Sequence, residues 1–302
     1  MDEITQLARQ KIPFAFVLSY DKKDLIIERL DALKQIAFEK SSQTEFILTP
    51  YARDPISFES YKSAYDRVIA QIKSGNTYLL NLTFSTPIKS KHSLFEIYKR
   101  AKAKYKVYLK DCFVSYSPET FVTIENGWIY TYPMKGTISK EVNGAKHKLL
   151  SDPKELAEHT MVVDLLRNDL GIVGNSVKVE KFRYVEDIGG LLQMSSKIGA
   201  QVKNWQDRLG EIIDAITPAG SITGTPKKST CQIIDSIETH KRGFFTGIFG
   251  VYDGTSFDSC VLIRYVQQQD GGLIYKSGGG ITLDSDVKKE YNELQKKIYL
   301  SQ

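Results

Sequence analysis

FFTGIFGVYDG at 244–254 runs into FDSCVLIRYVQQ at 257–268, with Asp253-Gly254 at the join. Both runs are rich in β-branched and aromatic residues, and Asp-Gly between such runs is a strong hairpin signal. The stretch predicts neighbouring antiparallel strands. TFVTIE at 120–125 and WIYTY at 128–132 repeat the pattern around Asn126-Gly127. Further strand-like runs are YLLNLTFSTPI at 78–88, KVYLKDCFVSYS at 106–117, SVKVEKFRYV at 176–185, LLQMSSKIGAQV at 191–202 and LIYKSGG at 273–279.

Apolar residues at three-to-four spacing predict helices at about 56–74, 93–104, 153–168, 226–239 and 286–300. Gly75 stands where a C-terminal cap of the first belongs. Many hairpins broken by a few long helices argue an α+β fold and against alternating βαβ units. No linker, repeat or low-complexity tract divides the chain, so residues 1–302 read as one domain. Within residues 1–50, FAFVLSY reads as a strand and LIIERLDALKQIAF as a helix, without an assignable motif.

The 302 residues are 41% hydrophobic and 25% charged, an ordinary globular balance. The net charge of +5 is interleaved with acids, which argues against a nucleic-acid stripe. Cys112, Cys231 and Cys260 form neither a CxxC nor a metal-ligand spacing, as expected in a reducing cytoplasm. The N-terminus has acids where a secretory signal carries positive charge, and no run approaches the ~18 apolar residues of a membrane span. A cytoplasmic protein bound to neither membrane nor nucleic acid is expected.

Two pairs of carboxylates, Glu155 with Glu158 and Glu290 with Glu293, lie three apart within helical patterns and so share a helix face. Facing one another they would suit magnesium; apart, each is an ordinary solvated face. Lys135, in YPMKGT at 132–137, is a nucleophile if burial lowers its pKa, and one more turn lysine if not. Glu119 opens a strand sixteen residues earlier. A hairpin through Asn126-Gly127 would place it near Lys135, as acid and nucleophile or as a strand-edge ion pair. PAGSITGTPK at 218–227 and SGGG at 277–280 offer backbone amides to an anion, or are turns built for geometry alone.

In this order, the blocks ELAEHTMVVDLLRNDLG at 155–171, PAGSITGTPK at 218–227, TGIFGVYDG at 246–254 and GGGITLDSDVKKEYNE at 278–293 resemble the chorismate-utilising enzymes. That family includes anthranilate, aminodeoxychorismate, isochorismate and salicylate synthases, and the resemblance runs from about Ser57 to the C-terminus. It implies two large antiparallel sheets packed face to face, flanked by helices, with the active site between them. Glu158 and Glu293 match the magnesium ligands, and Glu155 and Glu290 their acidic neighbours. Arg264 and the amides of Gly278, Gly279 and Gly280 match groups that hold the substrate carboxylates. Thr223 sits in the loop that lines the same pocket, and with Gly136, Thr137 and Gln193 it is expected to bind substrate. Glu119 matches the general acid for the departing C4 hydroxyl.

PMKGT is similar to the PIKGT of the family's aminodeoxychorismate branch, whereas the anthranilate enzymes typically carry alanine at the lysine position. The resemblance therefore implies amino-group transfer to chorismate through a neutral Lys135, en route to p-aminobenzoate and folate. Ammonia would come from a separate glutamine amidotransferase subunit. Anthranilate, isochorismate or salicylate synthesis and a non-catalytic chorismate-binding partner are the alternatives. Leu79 replaces a glutamine common in the family, and Gln193 a histidine. The short N-terminal region lacks the family's tryptophan-binding segment, so tryptophan inhibition is not expected.

Overall fold

In a computed structural model, residues 1–41, 48–188 and 190–301 are described. The hairpin signals are realised. Asn126 and Gly127 both take positive φ, +50° and +74°, and form the two-residue loop between Thr120–Glu125 and Trp128–Thr131. The other turn is longer. Asp253 accepts hydrogen bonds from the amides of Thr255 (2.8 Å) and Ser256 (2.7 Å), closing a loop between Ile248–Tyr252 and Phe257–Val261.

Every strand pairing among the described residues is antiparallel. The nine-stranded sheet runs Met134–Ser139, Leu191–Gln201, Trp128–Thr131, Thr120–Glu125, Phe257–Val261, Ile248–Tyr252, Phe14–Leu18 and Leu25–Arg29, with Asn175–Ile188 on Leu191–Gln201. The eight-stranded sheet runs Gly224–Thr225, Leu79–Lys89, Gly272–Ile281, Tyr265–Gln269, Phe113–Ser117, Tyr105–Leu109 and Ile36–Lys40, with Ala52–Arg53 on Leu79–Lys89. Tyr299–Ser301 pairs with Leu48–Pro50 in a small third sheet.

Period-two alternation explains how the layers stack. Ala15, Val17, Phe249 and Cys260 of the first sheet meet Val107, Leu109, Phe113 and Tyr265 of the second. Phe14, Phe16 and Leu18 point the other way, toward Leu166 and Leu170 of the Pro153–Val173 helix and Ile212 and Ile213 of Leu209–Ile216. Over the outer face of the second sheet, the helices Phe58–Lys73, Lys227–Ile237 and Val287–Lys296 bury Tyr61, Val68, Ile234 and Leu294. The expected architecture is present. No helix among the described residues is long and apolar enough to cross a membrane.

Three local readings need correction. LIIERLDALKQIAF forms the strand Leu25–Arg29, a single 3-10 turn at Leu30–Ala32 and the start of the strand Ile36–Lys40, not one helix. The Glu28 carboxylate accepts from the amides of Lys34, Gln35 and Ile36, which closes a fold-back that sends each half to a different sheet. KVYLKDCFVSYS is a hairpin turning at Asp111 (φ +54°). FDSCVLIRYVQQ breaks at Leu262–Arg264, where Arg264 takes φ +52° and the chain passes from the first sheet to the second. In the helix 58–73 the expected Gly75 lies one residue beyond Ser74, with φ +75° and its amide bonded to the Ile72 carbonyl.

Candidate active site

The break at Arg264 opens the site. Because Tyr265 pairs with Lys276, the glycine strand has no sheet partner on that edge beyond Lys276 among the described residues. Its other edge stays in register with Asn81, Leu82 and Thr83. The missing side chains leave room: a Cβ on Gly279 would lie 3.8 Å from both Glu290 Oε2 and Lys297 Nζ. One on Gly280 would lie 3.9 Å from Lys135 Nζ and from Leu79 Cδ1. Lys135 of the first sheet thus reaches the glycine strand of the second.

Lys135 Nζ pairs with Glu158 Oε2 at 2.7 Å. Gly136 takes φ +87°, a conformation that favours glycine, and a Cβ there would sit 2.7 Å from Glu155 Oε2 and displace this carboxylate. Gln193 holds the same segment with both ends of its amide: Nε2 donates to the Gly136 carbonyl (2.8 Å) and Oε1 accepts from the Thr137 hydroxyl (2.7 Å). Beneath Glu158, buried His159 bonds Ser196 Oγ at 2.7 Å, and burial pushes its pKa down to about 4, so the ring is neutral.

Lys297, one residue past the last helix, pairs with Glu293 Oε1 (2.7 Å) and donates to the Gly278 carbonyl (3.0 Å). Burial, together with the charges of Arg264 and Lys135, lowers its pKa against the pull of Glu293. Lys135 goes the other way. Burial disfavours its charge, but Glu158, Glu293 and Glu155 outweigh that and raise its pKa. The expected neutral, depressed lysine is therefore corrected: in this arrangement Lys135 is an ammonium group, because the same carboxylates surround it.

At the far side, Glu119 accepts a hydrogen bond from Ser221 Oγ. Burial raises the Glu119 pKa, opposed by Ser221 and the charge of Arg264. The expected hairpin forms, yet its ends find different partners: Ser221 for Glu119, Glu158 for Lys135. The 218–227 loop is anchored on the Pro153–Val173 helix by the pair of half-buried Lys227 with buried Asp169 (2.8 Å). Thr223 is buried, and its hydroxyl bonds the Ala219 carbonyl (2.9 Å) within the loop. The hydroxyl that reaches the acid is that of Ser221.

Ser221, Lys297, Asp169 and Tyr299, which bonds Arg264, escaped the sequence reading. Lys297 was findable, since it follows Glu293 by four on one helix face. Ser221 lies inside a loop already singled out. Nothing local marks Tyr299.

The family described as chorismate binding enzyme matches residues 8–301. A "PabA-like" protein of Haemophilus influenzae is 40% identical over 99% of this chain and 95% of its own. Aminodeoxychorismate synthase component 1 of Bacillus subtilis is 31% identical over 82% of this chain, which spans 56% of that enzyme's length. The menaquinone-specific isochorismate synthase MenF of Escherichia coli, 15% identical, superposes with a TM-score of 0.78 over 98% of this chain and 79% of its own, a likeness of fold.

Proposed function

This chain belongs to the family of chorismate binding enzymes, and on that premise we propose that it exchanges the C4 hydroxyl of chorismate for an amino group, giving 4-amino-4-deoxychorismate. The observation that carries the reading is the place of Lys135. Its Nζ pairs with Glu158 at 2.7 Å and would lie 3.9 Å from a Cβ on Gly280, inside the space that the glycines leave open.

The roles divide among the residues of the site. Arg264, Lys297 and the open edge of Gly278–Gly280 receive the substrate carboxylates. Glu119, its pKa raised, holds a proton toward the C4 hydroxyl. Lys135, its ammonium proton first released to solvent, forms a bond from Nζ to ring C2 while the C4–O bond breaks and water leaves with the Glu119 proton. Ammonia then bonds to C4, the C2–Nζ bond breaks, and the surplus proton returns to Glu119. Gln193 keeps Lys135 in place through Gly136 and Thr137.

The chemistry of the donor set, rather than its arrangement, suits magnesium. Glu155, Glu158, Glu290 and Glu293 offer only hard oxygen ligands, and with Lys135 and Lys297 they leave two negative charges in excess. Among the described residues no three such side chains converge on one point, and Glu158 and Glu293 are each paired with an ammonium group. Magnesium on these carboxylates would bind the ring carboxylate and offset the negative charge that keeps Lys135 protonated. A separate glutamine amidotransferase subunit is the proposed source of ammonia, in a cytoplasmic setting.

The test is product identification with chorismate, magnesium and ammonium at alkaline pH. The 4-amino product, convertible to p-aminobenzoate by an added lyase, supports the proposal. Anthranilate, isochorismate or salicylate as product overturns it.

A further inference from the structure

Arg264 approaches the site from a backbone that works against it. It carries φ +52°, a conformation costly for a side chain of its size, and it sits where the chain crosses between sheets. A long guanidinium stem on such a turn needs an external hold to present one edge to a ligand. That hold is Tyr299. Arg264 Nε donates to Tyr299 Oη at 2.7 Å, and the guanidinium carbon lies 5.4 Å from the ring centroid. Among the described residues the two Nη groups donate no hydrogen bond, so the edge suited to a carboxylate stays open.

Tyr299 is itself tied down. Its carbonyl accepts from the buried Tyr116 hydroxyl, its strand pairs in register with Pro50, and Ile298 and Leu300 on either side are buried with Tyr116 and Tyr275. We propose that Tyr299 is a positioning residue for Arg264, and that the small sheet Leu48–Pro50 with Tyr299–Ser301 exists to fix it. Residues 48–50 then pin the strand that orients the substrate-binding arginine. The inference rests on the chorismate reading above.

The test is a double-mutant cycle on chorismate affinity by rapid mixing, read from the binding phase that precedes covalent attachment at Lys135, with the full chain and magnesium but without ammonium. Tyr299→Phe keeps the ring, the backbone bond to Tyr116 and the strand pairing, and removes only the hydroxyl. It is expected to weaken chorismate binding about 10-fold with little change in melting temperature. Arg264→Lys lacks both the Nε donor and the planar fork, so adding Tyr299→Phe to it should weaken binding little further. Wild-type binding that Tyr299→Phe leaves intact, or effects of the two changes that multiply, would overturn the positioning role alone. Absence of chorismate binding by the wild type would overturn both readings together.

Discussion

Lys135 and Glu158 form an ion pair that is half inside and half out: Lys135 keeps 30% of its side chain exposed and Glu158 only 9%. The lysine comes from a strand and the carboxylate from a helix, so the pair ties the first sheet to Pro153–Val173. Removing one partner leaves a charge in a poor place. Lys135→Ala should therefore lower stability as well as abolish amination, by up to about 3–5 kcal/mol. Lys135→Ala with Glu158→Gln should recover most of that loss, as read from denaturant midpoints, while remaining inactive. A single variant as stable as wild type would show that the pair carries no stabilisation.

For Glu119 the sign of the pH dependence follows from its raised pKa. The folded state binds this proton more tightly than the unfolded chain, whose value is about 4.3. Its stabilising contribution is full below that value and is lost as pH rises through the folded pKa. Glu119→Gln takes up no proton there. The variant should gain stability over wild type from mildly acid to neutral pH, with the gap closing below about pH 4. Its turnover should fall about 100-fold or more. Melting curves across pH that run parallel for the two proteins would contradict the assignment.

The glycine strand permits a contrast between neighbours. A Cβ on Gly279 meets nothing nearer than 3.8 Å, so Gly279→Ala should fold with unchanged melting temperature and lose chorismate affinity by filling the site. At Gly278 a Cβ would fall 2.5 Å from Thr83 Cγ2 and 2.7 Å from the Leu82 carbonyl, so Gly278→Ala should cost stability. Equal stability of the two variants would count against the arrangement.

Gln193 donates with one end of its amide and accepts with the other, so a charge-neutral replacement and a charged one should differ. Gln193→Glu turns the donor facing the Gly136 carbonyl into an acceptor, and turnover should drop about 10- to 100-fold as Lys135 loses its support. Gln193→His, which retains a donor, should lose less. Steady-state rates at saturating chorismate separate the two.

Several of these features were legible in the amino-acid sequence alone. Asn126-Gly127 announced its hairpin because a two-residue loop needs positive φ at both positions, and few residue pairs supply it. The stretch 25–38 reads as a helix because its apolar spacing fits one, whereas Glu28 and sheet pairing, which decide it, act across six or more residues. Resemblance placed Lys135 and the four acidic residues, but not the sign of the lysine's pKa shift. That sign depends on how many carboxylates reach one ammonium group, which only folding determines. Tyr299 was invisible because its partner lies 35 positions away, in the break between two strands.

The central claim is that Lys135 bonds covalently to the ring, and intact-protein mass spectrometry tests it most directly. With chorismate and magnesium but no ammonium, wild type should gain one adduct of chorismate less water, mapped to Lys135. Added ammonium should discharge it as the 4-amino product. Formation of that product by Lys135→Ala at an undiminished rate, with no adduct on wild type, would contradict the account.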